Sequence, residues 1–313
     1  MANVADVSPL SEPKGLIYHY TSQAGLLGIT EKKQIWATNL RYLNDIEEFR
    51  VGVRLLERVM QEARTLELVD QGTLDSLKNL LATLESFEFY AASFSQAENG
   101  DSLNLWRSYA KSLPGYSIGI DADKLRNAIR PTLQSSGMRW LSKVHYIGKS
   151  VELGKELSSW SLSTMISLIK DLDRHKIDWR SGPDKTKEDW FNALLGSVES
   201  IRRAGMILAA IFPTLKDSAF SGELEARVIQ IGHTDMPSYE GNPPDFHLGS
   251  WSIVPHMNIP ISLGPDQPPL IERIVVGPCP HPAEALKAVQ ILLSSKRISG
   301  IEIVSSQVPY RSW

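Results

Sequence analysis

The chain has a single cysteine, Cys279, in 313 residues. One thiol closes no intramolecular disulfide and builds no cysteine-based zinc cluster, so the expected setting is a reducing cytoplasm. Cys279 stands in Gly-Pro-Cys-Pro-His with His281 close by, and the nucleophilic reading this invites is set aside. An excess of one charge is also missing: 33 basic against 36 acidic residues leave a formal charge of -3 and a pI near 6.2. No global positive field is available to draw in nucleic acid or an anionic membrane, although a local basic groove stays possible. Long apolar runs are absent as well. The longest, 204–212, falls short of the roughly 18 residues a membrane span needs, and residues 1–14 read as a flexible N-terminus without a signal peptide. Nowhere does the chain carry a Gly-rich dinucleotide fingerprint, a phosphate-binding loop, a serine nucleophile elbow, a His-Glu-x-x-His helix, an internal repeat or a heptad run. Rossmann and P-loop enzymes, solenoids and coiled coils are therefore disfavoured.

What is present is the composition of a folded protein, 42% hydrophobic and 22% charged. Leu16 to Thr21 is β-branched and aromatic, and Ser22 is a good N-cap for a helix over 23–31. A second strand is expected at 34–38. A long amphipathic helix follows from about Asp45 to Leu66, with Phe49, Val53, Leu56 and Met60 on its apolar stripe. Further on come a helix at 73–84, an aromatic strand at 87–94, a helix at 102–111, a strand at 116–121 and a short strand at 143–147. Helical patterning takes over between 151 and 216. Strands return at 226–231, 251–255 and 271–276, with 233–249 too rich in turn-formers for regular structure. A helix at 282–294 and a strand at 301–305 close the chain. The mixture lacks regular βαβ alternation, which indicates an α+β fold with a mixed, largely antiparallel sheet. The expected organisation is an α+β domain in two halves, 15–150 and 218–313, separated by a helical insertion over 151–217.

Chemistry concentrates in Glu223-Leu224-Glu225-Ala226-Arg227. As the opening of a strand, this places Glu223, Glu225 and Arg227 on one side, with Leu224, Ala226 and Val228 packed inward. Two adjacent carboxylates repel, which holds one neutral or demands a cationic or hydroxyl-rich partner. The competing reading is a salt-bridged ladder on a wet sheet face. His19 lies in a half-buried strand followed by Tyr20, Thr21 and Ser22, either a binding edge or a core histidine beside a helix cap. Asn44 and Asp45 suit a cap, and Glu48 can face the same site one turn on. Ser95 ends a strand, and Trp106 and Tyr109, three apart on one helix, can wall a slot for a flat ring or simply join the core. His145 and Tyr146 are read as structural. A magnesium-type centre from Asp45, Glu48, Glu223 and Glu225 is an alternative, in the manner of metal-dependent nucleases; a non-catalytic nucleotide-binding module is another.

Six motifs in order, Tyr18 to Ser22, Leu43 to Glu48, Ser93 to Ser95, Leu105 to Ala110, Gly115 to Asp121 and Glu223 to Arg227, together resemble the bacterial domain-of-unknown-function family 2971, over about residues 15–280. Their layout is similar to that of ADP-ribosyltransferases, with Tyr20 after His19 where the poly-ADP-ribosylating branch commonly has glycine. The resemblance implies an ADP-ribosyltransferase-like fold and an enzyme that uses NAD as substrate, without a metal. It would transfer ADP-ribose to a macromolecule or to water, and a defence or toxin-type role goes with the family. It assigns Glu225, Glu223 and His19 to catalysis. His19, Tyr20, Thr21, Ser22, Asn44, Ser95, Trp106, Tyr109 and Arg227 are assigned to NAD: His19 to the adenosine-side ribose, the Thr21 and Ser22 region to the nicotinamide amide, and Trp106 or Tyr109 to ring stacking. No membrane partner is expected.

Overall fold

The computed structural model describes residues 11–43, 48–65, 70–85, 87–109, 114–130, 139–148, 205, 207–232, 243–249 and 251–309. In chain order the strands are β1 (Leu16–Thr21), β2 (Gln34–Asn39), β3 (Glu88–Ser95), β4 (Tyr116–Asp121), β5 (Arg139–Lys143), β6 (His145–Ile147), β7 (Leu215–Asp217), β8 (Glu225–Gly232), β9 (Asp245–Leu248), β10 (Ile253–Pro260), β11 (Ile271–Val276) and β12 (Glu302–Ser305). The helices are α1 (Gln23–Lys32), α2 (Glu48–Thr65), α3 (Gln71–Leu84), α4 (Leu103–Tyr109), α5 (Ala122–Ala128) and α6 (Pro282–Ser295). This is a mixed α+β structure with a largely antiparallel sheet.

Strand β3 organises that sheet. Six of its eight residues are buried, a near-continuous apolar run that lets it sit with both faces covered. One edge pairs with β8 along its whole length, from Glu88↔Gly232 to Ser95↔Glu225, and β5 adds to the far side of β8. The other edge is shared by two strands. β2 takes its first half, at Thr38↔Ala91 and Asn39↔Tyr90, and β1 meets its end at Tyr18↔Ser95. The sheet therefore forks: β1 continues through β4 and β11 to β12, while β2 continues through β10 to β9. In the ten-stranded sheet only β11 and β12 run parallel.

Both faces are covered. On one, Ile17, Ile118, Ile120, Phe94, Val228 and Met257 pack beneath Leu26 of α1, Leu125 of α5 and Val289 and Leu293 of α6. On the other, Phe89, Ala91 and Ile231 meet Leu55, Leu56 and Val59 of α2, Leu77 and Leu84 of α3, and Leu208 and Phe212. Gly52 on α2 permits the last of these contacts, because a Cβ there would stand 2.7 Å from the Phe212 ring. Of the anticipated α2 stripe, Leu56 and Met60 are core, Val53 is only partly buried, and the Phe49 side chain lies outside the described residues.

Several expectations change. The strand foreseen at 251–255 runs instead over Ile253–Pro260, and the supposedly irregular 233–249 contains β9. β9 is a four-residue edge strand with mostly exposed side chains, so the register with β10, not its own pattern, makes it a strand. The single strand at 143–147 is two, β5 and β6. Helix α5 was not anticipated; Asp121 caps it by accepting from the Asp123 and Lys124 amides at 3.0 Å. Most of the helical patterning over 151–216 falls outside the described residues, although 215–217 is strand β7. Among the described residues no helix is long and apolar enough to cross a membrane.

Candidate functional site

The crotch of the fork is where the ladder gives way to side chains. Between the β2 and β1 registers, the Ser93 carbonyl on β3 is met by His19, whose Nδ1 donates to it at 2.9 Å. That bond leaves Nε2 as the acceptor of the neutral ring, and burial lowers the imidazole pKa against the smaller opposing effect of the Ser93 bond. Beside His19 opens a cleft of about 70 Å³ lined by Tyr18, Tyr20, Ser93, Phe94, Ser95, Leu105, Tyr109, Glu223 and Glu225. His19 and Glu225, far apart in the chain, thus face one space.

The far wall of this cleft is ionic. Arg227 grips Glu225 with two parallel bonds, Nε to Oε1 at 2.7 Å and Nη2 to Oε2 at 3.0 Å, and its Nη1 donates to the Pro213 carbonyl at 2.9 Å. Lys216 on β7 donates from Nζ to Glu225 Oε2 at 3.0 Å and to Glu223 Oε2 at 2.8 Å. The Tyr109 hydroxyl donates to Glu223 Oε1 at 3.0 Å, and the Tyr146 hydroxyl accepts from the Glu225 amide at 2.8 Å. Arg227, Lys216 and Glu225 are 1%, 3% and 4% exposed. Among the described residues the cluster matches two carboxylates with two cations, and pairing of this kind is what allows such charges to be held out of water.

Burial pushes the Glu225 carboxyl upward. The Arg227 charge and hydrogen bonds, the Lys216 charge and a bond from the Ser93 hydroxyl together outweigh it and hold the group at about 2. A carboxyl depressed in the folded state contributes stability that is complete above its unfolded value near 4.5 and is lost as pH falls through the folded one. Urea midpoints measured from pH 6 to pH 2 are expected to hold down to about pH 4.5 and then to drop. A flat profile across that window would remove the ionised, paired Glu225.

The structure redistributes the anticipated site residues. β8 begins at Glu225; Glu223 instead ends a 3₁₀ turn, Ser218–Glu223, which Asp217 caps by accepting from the Ala219 amide. Leu224 between them adopts a left-handed conformation at φ 46° and is half exposed, not packed inward. Such a residue costs about 1 kcal/mol, and here it turns Glu223 back over the strand end towards Lys216. The two carboxylates meet through a turn and a shared lysine, not through the pleat. Nor is the ionic face wet: every residue of β8 is buried.

Trp106 does not wall the cleft. It is core, edge-on to Tyr20 at 4.7 Å with Nε1 donating to Asp101, while Tyr109 on the same helix does line the cleft. Tyr20 contributes to the lining, but its hydroxyl accepts from the Ser102 amide at 3.0 Å, and burial pushes it up to about 12. Ser95 lines the cleft with its hydroxyl already donating to the Glu223 carbonyl at 2.7 Å. Thr21 and Ser22 stay outside the lining, and Ser22 caps α1 by accepting from the Gly25 amide at 3.2 Å. Ser22→Ala is accordingly expected to cost about 1 kcal/mol in chemical denaturation; an unchanged midpoint would refute the cap. Asn44 and Asp45 lie outside the described residues, as does the Glu48 side chain. Among the described residues no three His, Cys, Asp or Glu are grouped to hold a metal.

Lys216, Tyr146 and Ser93 complete the site and were not singled out for it. Lys216 reaches it only because β7 pairs in parallel with β6, which sets Tyr146 opposite Lys216. No sequence period signals that pairing; the sole hint is a lysine directly after the stretch Phe212 to Leu215 and ahead of two glutamates. No protein-family model, curated protein or solved structure matches the chain.

Proposed function

We propose that the cleft binds NAD and cleaves its nicotinamide–ribose bond, passing ADP-ribose to water or to a macromolecular acceptor on an ADP-ribosyltransferase-like scaffold. The observation that carries this reading is the convergence of His19 and Glu225 on one cleft at the fork of the sheet. Breaking the C1′–N bond sends its electron pair to the pyridinium nitrogen, which leaves as neutral nicotinamide, and positive charge develops on the sugar. Water or an acceptor hydroxyl then attacks C1′ and loses a proton. An anion fixed beside that sugar stabilises the transition state more than the ground state. Glu225 suits this role and not that of a base, since a group held at about 2 has little tendency to take a proton near neutral pH. Glu223, held at the rim by Tyr109 and Lys216, is the carboxylate available to receive the attacking group's proton. The Nε2 lone pair of His19 is suited to accept from a ribose hydroxyl.

A second reading, a nucleotide-binding module without turnover, is favoured by one feature: Arg227 and Lys216 already hold both oxygens of Glu225. Incubating the purified protein with NAD and quantifying free nicotinamide, with and without chelator, distinguishes the readings. Chelator-insensitive release supports cleavage. NAD binding without release supports the module, and chelator-sensitive activity turns attention to the metal-dependent alternative.

A further inference from the structure

The second branch of the fork, β2–β10–β9, holds a pair of histidines that takes no part in lining the cleft. In the antiparallel pairing of β10 with β9, His256 stands opposite Asp245 and His247 opposite Val254, so the two imidazoles are diagonal neighbours on one face of the sheet. Their Nδ1 atoms face each other at 3.2 Å. Trp36 of β2 packs on both rings, nearly parallel to His247 at 4.9 Å and tilted to His256 at 4.4 Å. His256 is 2% exposed and His247 half-buried, whereas Trp36 is 45% exposed, which puts the pair just below the surface with its rings wedged in place. Burial lowers the pKa of both rings. At His256 the neighbouring His247 adds to that effect, Asp245 and a backbone bond with Val254 oppose it, and Lys32 lowers it a little further. Both rings are neutral near pH 7, the form that lends a lone pair to a metal.

Two nitrogens held 3.2 Å apart, each about 2.0–2.1 Å from an ion, subtend about 100° there, between the square-planar and tetrahedral angles. We propose that His247 and His256 form a two-point seat for a late first-row transition ion, Cu²⁺, Ni²⁺ or Zn²⁺, bound through both Nδ1 atoms. Imidazoles suit these ions, whereas magnesium and calcium prefer oxygen. The ring that donates the Nδ1 bond in the free protein carries its proton on Nε2 once the ion enters, so neither ring changes charge. Asp245, directly across from His256, supplies a negative charge that favours a cation here; its Oδ2 accepts from Asn258 Nδ2 at 2.7 Å. Among the described residues no third His, Cys, Asp or Glu joins the pair, so the remaining positions fall to water or to a ligand brought by the ion. The bound ion ties the four-residue end strand β9 to β10.

The test uses untagged, chelator-stripped protein and Cu²⁺ supplied as its iminodiacetate complex, which leaves adjacent metal positions open and is held firmly only where two imidazoles are presented together. Electron paramagnetic resonance is expected to show one copper per chain with two coordinated imidazoles. His247→Ala, on the end strand, should weaken binding about a hundredfold and leave a one-imidazole spectrum, the loss expected when one of two linked contacts goes. The same complex should raise the urea midpoint of the native protein and leave that of the variant where it was, because an ion bound only to the folded state stabilises it. The unfolding curve of the metal-free variant verifies that it folds, and the native spectrum needs no variant. A native spectrum with fewer than two imidazoles, copper spread over several weak sites, an unmoved native midpoint, or native affinity in a folded His247→Ala protein overturns the seat and leaves the histidines as a hydrogen-bonded pair. The nicotinamide assay reads a different part of the molecule, and neither result decides the other.

Discussion

Arg227→Met is expected to lower the free energy of unfolding by about 3–5 kcal/mol, the penalty for removing one partner of a buried ion pair. The substitution approximates the length of the side chain but leaves Glu225, 4% exposed, without its bidentate partner, and leaves the Pro213 carbonyl without that donor. Of the two described cations only Lys216 then remains beside the two carboxylates. Combining Arg227→Met with Glu225→Leu should recover most of the loss, because it removes the buried carboxylate together with its bidentate partner. Equilibrium urea unfolding of the native, single and double variants measures both quantities. A single variant within about 1 kcal/mol of the native protein would mean that the cluster is hydrated and behaves as an exposed pair.

Glu225→Gln is expected to reduce nicotinamide release from NAD about a hundredfold or more, the scale seen when one preorganised electrostatic contact to a transition state is removed. The amide keeps the shape of the side chain and deletes its charge. In the native protein Glu225 supplies a fixed negative charge that stabilises a developing sugar cation, and in the variant that charge is lost. The effect should fall on kcat more than on KM, since the sugar carries its charge chiefly in the transition state. Because Glu225 is held at about 2, the native rate should show no loss attributable to this group between pH 7 and pH 5. Circular dichroism at the assay temperature must accompany the comparison, as the substitution also leaves Arg227 short of a partner. A folded Glu225→Gln protein with undiminished turnover would leave the carboxylate without a catalytic part.

Local sequence was a good guide wherever a segment's own chemistry settled its structure. β1, β4 and β11 carry their β-branched and aromatic residues over the anticipated spans. α1 starts where Ser22 can cap it, and α6 starts at Pro282, a residue preorganised for a first helical turn. It was a poor guide where a neighbour decides. β9 is a strand because β10 lies beside it, and Trp106 is core because Tyr20 and Asp101 receive it. The strand reading of Glu223 failed at Leu224, whose left-handed backbone no propensity of leucine announces.

From the order of its residues alone, this protein's α+β character and its slight acidic excess were determined, because each follows from composition or from short-range spacing, and the same spacing drew attention to His19, Glu225 and Arg227. Only the tertiary structure decided that β3 shares one edge between two strands and that His19 fills the gap. It likewise decided that Lys216 bridges Glu223 and Glu225. These depend on register between segments far apart in the chain, where pairing free energy and the need to neutralise buried charge act across space and leave no period in the sequence.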